Sequence, residues 1–187
     1  MYIINIIIIF IIMSKKELDK NGLIAFYKAD LDYYRRITEL SCEYKCKPRK
    51  PGMTEITSEN MAKIVLNKLN IKCKNAKSGD LHVNNIKYEV KCFTSNGPIS
   101  FGPTEKWSKI IFIDARHWTD NLFEIYLLEL SNDNTKWQDV KMNKKESFKQ
   151  QCDQKRRPRI GWEPLKKQIK DQLTVVFQGK FEDIFTL

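Results

Sequence analysis

Between Asp80 and Phe93 the chain switches from helical spacing to strict alternation. Asp80-Leu81-His82-Val83 and Ile86-Lys87-Tyr88-Glu89-Val90-Lys91-Cys92-Phe93 flank Asn84-Asn85, and asparagine tolerates the positive φ that a two-residue hairpin turn requires. The pattern predicts two antiparallel strands, with Ile86, Tyr88, Val90 and Cys92 on one face and Glu89 and Lys91 on the other. Two charges in the middle of an apolar strand are costly unless they serve each other or a cation. This ribbon therefore constrains the fold and the chemistry together.

Helical patterns surround it. Leu18, Ile24, Tyr27, Leu31, Tyr34 and Leu40 recur at near-helical spacing, interrupted by Asn21-Gly22, and predict one or two amphipathic helices within residues 15–43. A basic, proline-broken loop follows at 45–52. Thr57 or Ser58 is the predicted cap of a helix whose Met61, Ile64, Val65, Leu66 and Leu69 face a core, with Glu59 at the border of that stripe beside Ala62 and Leu66. Downstream, 109–114 and 123–130 are apolar runs of strand length, Pro164 opens a helix with Leu165, Ile169 and Leu173 on one face, and 174–177 is a short strand. Helices, then strands, then helices give an α/β domain with a central mixed sheet flanked by helices. With 42% hydrophobic residues in 187, the chain supplies one core and not two.

Residues 2–13 form an uncharged, isoleucine-rich run, shorter than the roughly 20 residues that span a bilayer and without the flanks of a signal peptide. No membrane association is expected. Lysine and isoleucine are abundant, as in A+T-rich coding DNA, and Ser14-Lys15-Lys16-Glu17 forms a capping box. The natural start is therefore expected at Met13, leaving 1–13 as an apolar extension and 14–187 as a single domain.

The formal charge is +10 with an isoelectric point near 9.3, which favours an anionic partner, nucleic acid first. Most of the excess lies in residues 141–170, centred on Lys155-Arg156-Arg157-Pro158-Arg159, whose guanidiniums suit phosphate oxygens or guanine edges. The plainer alternative is a solvated basic loop. Trp162 beside it either stacks on a base or pins a helix to the core. Five cysteines make no disulfide framework and predict a reducing, cytoplasmic location. Cys42-x3-Cys46 lacks a second ligand pair, so free thiols are expected rather than a zinc site. His82 and His117 are the only imidazoles, too few for a multi-histidine zinc centre, which leaves the chemistry to carboxylates and lysines.

An acid and a lysine two apart on a strand share a face and can act on one water. Chance alone gives about three Asp/Glu-x-Lys tripeptides in a chain of this composition. Four occur, at Glu43, Glu89, Asp139 and Asp153, so context must discriminate. Only Glu89-Val90-Lys91 lies in an alternating apolar run, and only it has an acid, Asp80, set before the neighbouring strand. Phosphodiester hydrolysis asks for such a set, with oxygens to hold Mg²⁺ against the scissile phosphate and a cation to position the attacking water. Asp80 and Glu89 would supply the oxygens and Lys91 the cation. The alternative is a cross-strand salt bridge on an exposed sheet face.

Asp80, eight intervening residues, then Glu89-Val90-Lys91, preceded by an acid-bearing helix, resembles the PD-(D/E)xK nuclease superfamily, with Gly79 in place of the proline. Glu55-Ile56-Thr57-Ser58-Glu59-Asn60, Ser100-Phe101-Gly102-Pro103-Thr104-Glu105-Lys106-Trp107 and Arg156-Arg157-Pro158-Arg159-Ile160 are similar to stretches of type II restriction endonucleases. The resemblance implies a restriction-endonuclease-like fold over 14–187. It also implies a Mg²⁺-dependent, sequence-specific endonuclease that cuts double-stranded DNA as a homodimer, leaving 5′-phosphate and 3′-hydroxyl ends. It implies Asp80, Glu89 and Lys91 as catalytic residues, with Asp80 and Glu89 on the metal. A helix carboxylate would complete the metal site, Glu59 in preference to Glu55 if the helix begins at Thr57 or Ser58. Lys155, Arg156, Arg157 and Arg159 are the expected DNA contacts. The rivals are a repair or junction-resolving nuclease on the same fold and a non-catalytic nucleic-acid-binding protein.

Overall fold

The computed structural model describes residues 18–49, 51–75 and 81–187; the apolar run 1–13, the Ser14–Glu17 capping box and Asp80 lie outside them. One long helix, α1 (Lys20–Glu43), fills the first helical region. It begins where Asp19 accepts the Gly22 N–H at 2.7 Å, so Asn21-Gly22 belongs to its first turn and does not divide it. Helix α2 (Glu55–Lys68) follows.

The cap of α2 differs from the expectation. It is Thr54, not Thr57 or Ser58, because the first turn is tied to α1. The buried Asp30 carboxylate accepts from the Thr54 N–H at 3.1 Å, the Thr54 hydroxyl at 3.1 Å and the Thr57 hydroxyl at 2.6 Å. Thr57 and Ser58 are consequently inside the helix and buried.

Next come β1 (Lys74–Asn75), β2 (Leu81–Val83), β3 (Ile86–Phe93), β4 (Ile99–Ser100), β5 (Lys109–Asp114) and β6 (Phe123–Leu128). The chain closes with α3 (Thr135–Gln138), α4 (Phe148–Asp153), β7 (Arg159–Ile160), α5 (Trp162–Ile169) and β8 (Leu173–Gly179). Leu173 thus starts the last strand instead of ending the helix that contains Pro164. Asn84 and Asn85 turn the β2–β3 hairpin at φ of 44° and 67°, as their side chains allow. The main sheet has six strands in the order β1-β2-β3-β5-β6-β8, and β4 and β7 form a separate small ribbon. Among the described residues only β3 and β5 run parallel, which makes the sheet mixed.

Each face of the sheet carries its own apolar layer. Leu23 and Tyr27 of α1 and Met61, Val65 and Leu66 of α2 pack on Tyr88, Ile111, Ile113 and Ile125. On the opposite face Phe101, Trp107, Trp137, Phe148 and Trp162 pack on Ile110, Phe112 and Tyr126. The alternation within 109–114 therefore supplies both layers, as a central strand must. The crossover from β3 to β5 carries β4 and the Gly102–Glu105 turn over the aromatic layer. That crossover brings a second acid to the charged face of β3.

Candidate active site

Tyr88, Val90 and Cys92 of β3 pack into the layer under α1 and α2, so Glu89 and Lys91 point to the other face. Glu89 is 5% exposed, unlike a residue of an open sheet face. The Lys91 ammonium stands 2.5 Å from Glu89 Oε1 and 3.2 Å from Glu105 Oε2, and Lys87 Nζ lies 3.8 Å from Glu89 Oε2. Lys91 also sits 5.8 Å from the centre of the Phe101 ring. Burial works against the lysine's charge, but the hydrogen bond and charge of Glu89, followed by those of Glu105, outweigh it and hold the ammonium above its ordinary value. Lys91 is a cation at neutral pH, suited to donating hydrogen bonds and not to removing a proton.

From the sequence, Glu105 has no role beyond its place in the 100–107 stretch that is similar to type II restriction endonucleases. The signal lay in Gly102: a Cβ there would meet the Glu105 carboxylate at 2.6 Å, so glycine lets that side chain fold back toward Lys91.

Glu59 lies half-buried one turn into α2, at the edge of the stripe made by the fully buried Ala62 and Leu66, and Glu55 is exposed in the first turn. The helix starts earlier than the Thr57 or Ser58 on which the preference for Glu59 over Glu55 is conditioned. Its carboxyl is raised above the ordinary range by burial first, then by the charges of Glu55 and Glu89. Glu89 and Glu59 offer hard oxygen donors of the kind Mg²⁺ takes. Among the described residues, however, no group of three or more His, Cys, Asp and Glu converges to hold a metal, and Asp80, the remaining expected ligand, is not among them.

The basic segment is divided by its partners. The Arg156 guanidinium is ion-paired with Glu146, which also accepts from Asn143, Gln151 and Gln154. The Arg156 hydrogen bond, followed by that from Asn143, draws the Glu146 carboxyl down to about 2. Lys155 takes a left-handed φ of 56° that ends α4, and Arg157 and Arg159 are exposed on either side of the buried Pro158. The Pro158 carbonyl accepts the Phe101 N–H at 3.0 Å, and Arg159 pairs with Ser100 in the β4–β7 ribbon. Trp162 is 2% exposed against Phe93, Phe112 and Tyr126, so it is core and not a platform for a base. All five cysteines are free thiols. The Cys92 thiol is pushed up to about 12 by burial first, then by Asp114 and Asp30, so it is no nucleophile.

A mixed sheet covered on both faces, with a buried acid and lysine on one of its two parallel strands, is restriction-endonuclease-like in architecture. The family model described as Bsp6I restriction endonuclease matches residues 24–170, from α1 to just past α5 and well over half of the chain. The chain belongs to that family and is a type II restriction endonuclease, a site-specific deoxyribonuclease that binds DNA. No curated protein and no solved structure matches it. Among the described residues no helix is long and apolar enough to cross a membrane.

Proposed function

We propose that the protein is a Mg²⁺-dependent enzyme of the PD-(D/E)xK type. In this reading it hydrolyses both strands of a short DNA site to 5′-phosphate and 3′-hydroxyl ends. The observation that carries this is the buried Glu89, paired with Lys91 two residues along the same strand, in a chain of a restriction endonuclease family. Asp80, Glu89 and Glu59 would hold the metal. Mg²⁺ held there would supply Lewis acidity to the scissile phosphate and to the attacking water.

The protein's own groups do the rest. Lys91 keeps its proton, donates to the attacking water or a non-bridging phosphate oxygen, and offsets the negative charge that builds as the 3′ oxygen leaves. Glu89 and Glu105 both pair with the ammonium, so its position is set before substrate arrives. Each chain carries one such set, and cutting both strands of a symmetric site calls for a second copy, hence a homodimer. Free thiols fit a reducing cytoplasm.

Digestion of an unmethylated plasmid tests the reading. Discrete fragments with ligatable 5′-phosphate ends, formed with Mg²⁺ and lost with chelator, are the expected result. Cutting confined to branched DNA, or cutting that survives chelation, would overturn it.

A further inference from the structure

The chain contains two tripeptides of one form, Lys47-Pro48-Arg49 and Arg157-Pro158-Arg159, more than a hundred residues apart. The fold brings their arginines to one groove. Over the C-terminal end of β3 lie two connecting clefts of about 620 and 480 Å³ that share Arg49, Cys92, Thr94 and Ser95. Arg49 lines both, Arg159 and Ser100 line the smaller, and Arg116 lines the larger. Among the described residues none lining either cleft is Asp or Glu, whereas Asp114 and Glu124 line the neighbouring cavity.

The cations of this groove differ in what they are free to do. Arg116 is committed to Asp114, Glu163 and Asn96. Among the described residues Arg49 and Arg159 have no acidic partner, and both are exposed. Each follows a proline, whose fixed φ limits how far the wall can swing. Arg159 is held further by the β4–β7 pairing, and near Arg49 in sequence Gly52 approaches the end of β3. A Cβ on Gly52 would meet Thr94 Oγ1 at 2.8 Å. The floor adds hydroxyl donors from Thr94 and Ser95, and among the described residues the Ser100 hydroxyl has no hydrogen-bond partner. Two unpaired guanidiniums over a floor of hydroxyls, with no acid, are complementary to a run of phosphodiesters.

We infer that this groove grips the sugar-phosphate backbone of duplex DNA, with Arg49 and Arg159 as its two phosphate-binding walls. The inference rests on the nuclease reading and joins Arg159 of the basic segment to Arg49, which is remote from it in sequence. Thr94 stands three residues beyond Lys91, about 10 Å along the strand, or about three nucleotides of axial rise. The groove thus holds the strand next to the phosphate that Lys91 meets. Arg156, spent on Glu146, has no part in it.

The test is fluorescence anisotropy of a short fluorescein-labelled DNA duplex with the full-length protein in EDTA as KCl is raised, run beside plasmid cleavage in Mg²⁺. Arg49→Ala and Arg159→Ala are each expected to weaken binding and to flatten the slope of log K against log salt by about 0.9, and the double variant by about 1.8. Arg49→Lys should keep the slope, which separates lost charge from lost folding, and Arg36→Ala, paired with Glu39 on α1, should leave it unchanged. Unchanged slopes in both alanine variants of a protein that still cleaves plasmid would overturn the groove and leave the nuclease standing. Wild-type protein with no affinity for the duplex would overturn both.

Discussion

Glu105 reaches Lys91 from a different segment of chain, closing a 3.2 Å ion pair with the ammonium that Glu89 also holds. The lysine is thereby held between two carboxylates, one buried and one 29% exposed. If Glu105 only positions Lys91, Glu105→Gln should slow single-turnover cleavage about tenfold to a hundredfold while leaving DNA affinity unchanged. Gly102→Ala should mimic it, because the new methyl would push the Glu105 carboxylate away. Wild-type rates in both variants would remove Glu105 from the site.

The same geometry predicts unequal stabilities. Lys91→Ala takes the nearest cation from the buried Glu89, leaving Lys87 at 3.8 Å, and should cost about 3 kcal/mol in urea unfolding. Glu105→Ala removes a partner that is partly in water and should cost less than about 1 kcal/mol. Equal losses would contradict the burial argument.

Glu59 gives a pH-dependent prediction. The folded chain holds its proton more tightly than the unfolded chain does, so ionising it costs stability as pH rises through the raised value, and the cost is complete above that value. Glu59→Gln removes the cost. The variant should unfold at higher urea than wild type at about pH 8, and the advantage should vanish at about pH 3, where the carboxyl is protonated in both states. Added Mg²⁺ should raise the wild-type midpoint and not that of Glu59→Gln if Glu59 is a ligand. A variant that gains as much from Mg²⁺ as wild type would take Glu59 off the metal.

Arg156 and Arg157 are neighbours with different work. Arg156→Ala should lower the urea midpoint, since Glu146 loses its strongest partner, and leave the salt slope of DNA binding intact. Arg157→Ala should leave the midpoint intact. A flattened salt slope for Arg156→Ala would show that it leaves Glu146 for DNA.

Much of this was legible in the chain because it depends on local pattern. The Asn84-Asn85 turn, the facing of Glu89 and Lys91, and the two-sided burial of 109–114 follow from a period of two and from which side chains accept positive φ. What was not legible depends on partners distant in sequence. The cap of α2 shifted to Thr54 because Asp30 organises the turn from another helix, and nothing in residues 54–58 announces Asp30. Glu105 meets Lys91 only because the β3–β5 crossover returns over the sheet, and Arg156 leaves the basic cluster only because Glu146 is folded beneath it. Short elements such as β4 and β7 were missed because two paired residues carry no period.

Single-turnover cleavage by Glu89→Ala and by Lys91→Ala, each first shown to bind duplex DNA in chelator as wild type does, puts the central claim to its most direct trial. The buried pair on β3 predicts that each loses at least about a thousandfold in rate with binding retained. Cleavage by either variant at the wild-type rate would contradict it.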